Sequence, residues 1–123
     1  FQKHDAGIRE FWPEIRAFRG EANLDLIHAS PVPVDCLQRP AATPACQQMV
    51  GNVWEWTACT FQPYPGFVAG PYRDYSQPWF GDHRVLRGGS FATRARLLRR
   101  TWRNFYKPWR RDMFAGFRTA AID

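Results

Sequence analysis

Arg103, Asn104, Tyr106 and Arg110 fall within eight residues and bring guanidinium, amide and phenol groups together. The planar fork of arginine pairs with a carboxylate through two parallel N–H···O bonds. Asparagine both donates and accepts, and neighbouring rings hold cationic or imidazole groups by stacking and cation–π contact. Such a set reads as a pocket for a small anionic ligand. The segment around it, residues 87–111, carries eight arginines and one lysine among five aromatic side chains, with no acid. The rest of the chain has 8 basic against 11 acidic groups, so the net charge of +6 is concentrated in one block. A charge run is more often a solvated face than a site, and composition alone leaves both readings open.

Other chemistry is less well supported. His4, His28 and His83 are far apart and form no HxxxH or HExxH pair, so they read as surface or loop histidines and no metal site is expected from this chain alone. Ser90 follows two glycines, but RGGS is not GxSxG, and GGS lacks the Lys-Ser/Thr ending of a phosphate loop. Cys36, Cys46 and Cys59 give no CxxC pair, which fits a reducing, cytoplasmic location. Their spacing leaves a Cys36–Cys46 bridge open, and Cys59 reads as a small buried residue. No apolar run approaches the ~20 residues of a membrane span, so no membrane partner is expected.

The elements that must position these groups are short. Ten Pro and nine Gly among 123 residues imply many turns, and the length fits one domain. A short helix is expected to start near Trp12, where Pro13 fits a first turn. Residues 20–48 read as irregular, with VPVD (32–35) a short edge strand. GNVWEWT (51–57) alternates in a period-two strand pattern, RVLRGGSF (84–91) is a short strand broken by Gly88 and Gly89, and MFAGFRTA (113–120) is a last strand. Tested as a strand, the basic segment sets Arg103 and Phe105 on one side and Asn104 and Tyr106 on the other, and neither side is apolar. Its arginines therefore cannot share one flat surface. Some must turn inward toward acids such as Glu55, Asp74, Asp82 and Asp112. That argues against a nucleic-acid partner.

GNVWEWT, VLRGGSF (85–91) and AGFRTA (115–120), with ANLDL (22–26) upstream, resemble the C-terminal half of the formylglycine-generating-enzyme or sulfatase-modifying-factor domain. The resemblance implies an α+β, C-type-lectin-like fold, loop-rich with short strands and little helix. It makes residues 1–123 the C-terminal portion of a single domain of a longer protein. Within it Trp54, Glu55, Trp56, Arg87 and Arg118 are expected to serve the fold through packing and buried ion pairs. Formylglycine-generating members carry two copper-binding cysteines that fall here on Thr93 and Leu98, so that activity is not implied. Some members bind calcium near the GNVWEW strand. Gln48 and Glu55 are the candidate pair here, although Gln is a poorer ligand than a carboxylate.

PYPGF (63–67), PYRDYSQPWF (71–80), HRVLRGGSFAT (83–93) and RNFYKPWRRDMFAGFR (103–118) resemble the ergothioneine-type sulfoxide synthases. These iron(II) enzymes use O2 to join a sulfur donor to the imidazole of hercynine. The resemblance implies an N-terminal helical domain of the same polypeptide that supplies the iron ligands, leaving the substrate pocket to this chain. By motif, Asn104 and Phe105 would contact hercynine, while Tyr106 and Arg110 take the positions that hold the thiol donor. Tyr106 replaces an Asp of the family phrase, which opens the donor to cysteine or to the selenosugar of the related selenoneine synthases. The family's catalytic tyrosine has Tyr64, Tyr72 and Tyr75 as candidates. The competing class is a non-catalytic lectin-like binding module of the same fold.

Overall fold

The computed structural model describes residues 22–37 and 47–119. The expected helix near Trp12 lies outside them. The described residues form two compact units interleaved along the chain: 22–37, 47–53 and 88–99 in one, and 54–87 with 100–119 in the other.

The first unit is built from loops tied by asparagine side chains. Asn23 is fully buried, and its Nδ2 donates to the Ser30 carbonyl and to Asn52 Oδ1. Asn52 in turn accepts from Val32 N at 2.8 Å and donates to Val32 O at 3.0 Å. An amide side chain thus takes both backbone groups that a strand ladder would have used, and Cys36 N closes a turn on Pro33 O. For this reason VPVD is not a strand. Gly88 and Gly89 both have positive φ. A β-carbon on Gly88 would lie 2.7 Å from the Met49 carbonyl oxygen, so the glycine allows two backbone segments to meet. Thr93 then closes the GGS turn: Ser90 N donates to its Oγ1, and Thr93 N to the Ser90 carbonyl.

The second unit holds one four-stranded sheet. Its strands are β1 (Trp54–Thr60), β2 (Arg84–Arg87), β3 (Asn104–Tyr106) and β4 (Ala115–Phe117), in the order β3-β2-β1-β4. β1–β2 and β2–β3 are antiparallel, and β4 runs parallel to β1. β1 begins three residues later than the GNVWEWT pattern suggested, because Gly51 and Asn52 adopt positive φ and form a turn. β2 ends at the glycine pair, as expected. The remainder is loop, with 3-10 turns at Arg73–Tyr75 and Gln77–Trp79. Leu86, Val85, Phe61 and Trp54 are the buried apolar residues of this unit. The described residues are loop-rich with short strands and little helix, as the motifs implied.

Candidate functional site

The β2–β3 pairing decides which candidate residues can act together. Val85 lies opposite Phe105, Leu86 opposite Asn104 and Arg84 opposite Tyr106. Side chains alternate along a strand, so Phe105 points to one face of the sheet and Asn104 and Tyr106 to the other.

On the first face Phe105 stacks on Phe61 at 4.0 Å, nearly parallel. Phe80 tilts against Phe61, and Phe67 meets Phe80 edge-on. One face of the Phe105 ring is therefore already taken. The guanidinium of Arg103 lies over Tyr64 at 3.8 Å and over Phe61 at 4.8 Å, and its Nη1 donates to the Gln62 carbonyl. Arg87 donates from Nη1 to the carbonyls of Arg100 and Trp102, and from Nη2 to Tyr64 Oη at 3.5 Å. Its partners are carbonyls and a phenol, where an acid was expected. Of the three candidate tyrosines, Tyr64 is the one drawn in among these arginines. Tyr72 precedes the first 3-10 turn and Tyr75 ends it, and they are 71% and 77% exposed.

On the second face Asn104 folds back, its Oδ1 accepting from Phe105 N at 3.0 Å. Arg110 lies over the Tyr106 ring at 4.9 Å. Its Nε donates to Asp112 Oδ1 at 2.8 Å, and its Nη2 to Asp112 Oδ2. The hydrogen bond with Asp112 raises the Arg110 pKa, and the same bond holds the Asp112 carboxyl below its ordinary value. The fork expected to receive a ligand carboxylate thus already carries one.

His83 belongs to this unit's interior, contrary to the reading of all three histidines as surface or loop residues. It is 7% exposed and immediately precedes β2. Its Nδ1 is hydrogen-bonded to Asp82 Oδ1, and Asp82 Oδ2 takes Lys107 Nζ at 3.2 Å. The His83 bond, then Lys107, lowers the Asp82 pKa against the opposing effect of burial. Trp79 and Phe105 pack edgewise on the imidazole at 5.4 and 5.9 Å. No sequence signal beyond the DH dipeptide marked this arrangement. Cys59 also departs from expectation: it is an exposed free thiol, as is Cys36.

The residues expected to serve the fold divide in use. Trp54 is buried and meets Trp102 edge-to-face at 5.1 Å, while Trp56 is half-buried. Arg118 Nε donates to Glu55 Oε1 at 2.5 Å in a half-buried pair. A cation at Glu55 would have to compete with that guanidinium. Gln48, in the other unit, turns its amide nitrogen to the carbonyls of Pro33 and Val34. Among the described residues no three His, Cys, Asp or Glu side chains cluster to hold a metal ion. These described residues do not make an iron site. Among the described residues no helix is long and apolar enough to cross a membrane.

Over residues 15–122 the sequence matches the sulfatase-modifying factor enzyme 1-like domain. The chain belongs to the sulfatase-modifying factor family. Within that family it is 48% identical over 100 residues to a hercynine oxygenase of Mycobacterium tuberculosis, covering 80% of this chain and 24% of the relative. A hercynine oxygenase of Mycolicibacterium thermoresistibile is 43% identical over 114 residues, covering 89% and 26%. The ergothioneine biosynthesis protein 1 of Schizosaccharomyces pombe is 38% identical over 78 residues, covering 61% and 9%. The chain spans about a quarter of the length of the mycobacterial relatives it matches. Thr93 is buried and used in the GGS turn, and Leu98 is half-buried.

Proposed function

We propose that this chain is the substrate-binding portion of an iron(II)- and O2-dependent synthase that joins sulfur, or selenium, to the imidazole of hercynine in ergothioneine or selenoneine biosynthesis. The observation that carries the reading is the 48% identity to a hercynine oxygenase over most of the chain. In this reading an N-terminal helical domain of the same polypeptide supplies the iron ligands. The iron, when bound, would activate O2. Hercynine lies against Phe105, with Asn104 at the same strand, and the donor's carboxylate engages Arg110.

Asn104 and Phe105 leave β3 on opposite faces, so a ligand touching both reaches them around the strand's end or through the Asn104 backbone side. Arg110 can accept a donor carboxylate by exchanging Asp112 for it, or by offering its remaining Nη1 edge. Tyr106 gives Arg110 a ring to lie on, where the family phrase has an acid. A donor ammonium therefore finds its nearest carboxylate at Asp112. Tyr64 is the tyrosine best placed to share the site, next to Arg87 and Arg103.

The test is turnover by the intact protein of hercynine with iron(II), O2 and, separately, γ-glutamylcysteine, cysteine and a selenosugar, with the product identified by mass. A C–S or C–Se adduct of the hercynine imidazole supports the reading. Hercynine left unchanged with every donor would sink it.

A further inference from the structure

His83 is the one buried histidine among the described residues, and the site as proposed so far gives it no task. Its surroundings fix its chemistry. Lys107 and the His83 hydrogen bond keep Asp82 ionised, so Asp82 can only accept, and Nδ1 of His83 carries the proton. In the neutral ring that leaves Nε2 as a lone-pair acceptor. Among the described residues Nε2 has no hydrogen-bond partner, and it is not one of the polar atoms sealed from solvent, so it lies open at the edge of a ring that is only 9% exposed. An acceptor that reaches solvent at the edge of a buried ring is open to a ligand N–H in place of water.

The ring's position points to which ligand. His83 stands two residues before Val85, the cross-strand partner of Phe105, so the two rings are diagonal neighbours on one face. Its backbone carbonyl accepts from Phe61 N at 2.8 Å, and Phe61 is the residue stacked on Phe105. Trp79 closes the other side, its Nε1 held by the Asp74 carbonyl at 2.9 Å. A rigid acceptor is thus set beside an aromatic ring, in a wall of further rings. That arrangement suits a flat heteroaromatic bearing one N–H, which can stack and donate at once.

We propose that His83 is a further ligand-binding residue, its Nε2 accepting the imidazole N–H of a substrate seated against Phe105, with Asp82 as the positioning residue that holds the acceptor tautomer. This rests on the reading of the chain as hercynine-binding. An ordinary buried structural histidine would have no preference for that N–H, and this separates the two roles.

The experiment measures binding of hercynine and of its two ring-N-methyl isomers to the intact protein by calorimetry, for wild type, His83→Gln and His83→Phe. Gln keeps a carbonyl acceptor, whereas Phe keeps the ring and removes the nitrogen. In wild type, at least one N-methyl isomer is expected to bind about tenfold more weakly than hercynine, the effect of losing one well-formed hydrogen bond. His83→Gln should retain most of that discrimination and His83→Phe should abolish it. Wild type that binds hercynine and both isomers equally overturns the contact, whatever the variants do. Wild type that binds no hercynine overturns the hercynine reading itself and the contact with it.

Discussion

Asp112 grips Arg110 through both carboxylate oxygens, two residues away along the chain. Arg110 at the same time lies over the ring of Tyr106. The guanidinium is thereby held in a fixed plane, and a ligand carboxylate must compete with an internal one. Asp112→Asn removes the competing charge but keeps the side chain's shape. For a donor that uses only its carboxylate, such as 3-mercaptopropionate, KM is expected to fall about threefold. For cysteine, whose ammonium would lose its nearest acid, KM is expected to rise. Steady-state kinetics with the two thiols check this, and parallel shifts would contradict the assignment.

Arg110→Ala tests the same subsite from the other side. Losing a charge-assisted bidentate contact should raise donor KM by about tenfold or more. The KM for hercynine should stay within about twofold, because Arg110 and Phe105 stand on opposite faces of the sheet. An unchanged donor KM would remove Arg110 from the pocket.

Two glycines of positive φ predict unequal costs. Gly88 has a backbone carbonyl 2.7 Å from where a β-carbon would sit, whereas Gly66 has nothing within 4 Å. Gly66→Ala should cost only the left-handed backbone penalty, about 1 kcal/mol. Gly88→Ala adds a clash that the backbone must move to relieve, so at least about 2–3 kcal/mol is expected. Urea unfolding of the two variants measures the difference, and equal midpoints would show that the Gly88–Met49 approach is not tight.

Asp82 predicts a pH dependence. Its carboxyl is held below the ordinary 3.8, first by His83 and then by Lys107. A depressed acid stabilises the fold fully above its unfolded pKa, and that contribution is lost as pH falls through the folded value. The part of the stability gap between wild type and Asp82→Asn that comes from this carboxyl should therefore be present above about pH 5 and shrink below about 4. Urea midpoints at pH 6, 4 and 3 give the comparison, and a gap that widens in acid would contradict the pairing.

Much of this was legible in the residues. The Gly88–Gly89 break ended a strand where the sequence placed it, and the described parts of the Pro-rich stretches are loops and short 3-10 turns. The alternation of Asn104, Phe105 and Tyr106 could be written down before any fold was known, although which faces mattered could not. Other features are tertiary. VPVD fails as a strand because Asn52, twenty residues on, takes up the Val32 backbone. Strand β1 starts late because Gly51 and Asn52 turn first. His83 could not be told from a loop histidine, since its burial comes from Trp79 and Phe105 meeting it across a loop and a strand pair. Asp112 was recognisable as an acid near the arginines, but its choice of Arg110 depends on how the loop after β3 folds back.

The proposed role of this chain is to help bind hercynine for C–S or C–Se bond formation. The most direct measurement is product mass from the intact protein given hercynine, iron(II), O2 and each candidate donor. A sulfur- or selenium-bearing adduct of the hercynine imidazole with at least one donor is expected. Full recovery of unmodified hercynine from every mixture would contradict it.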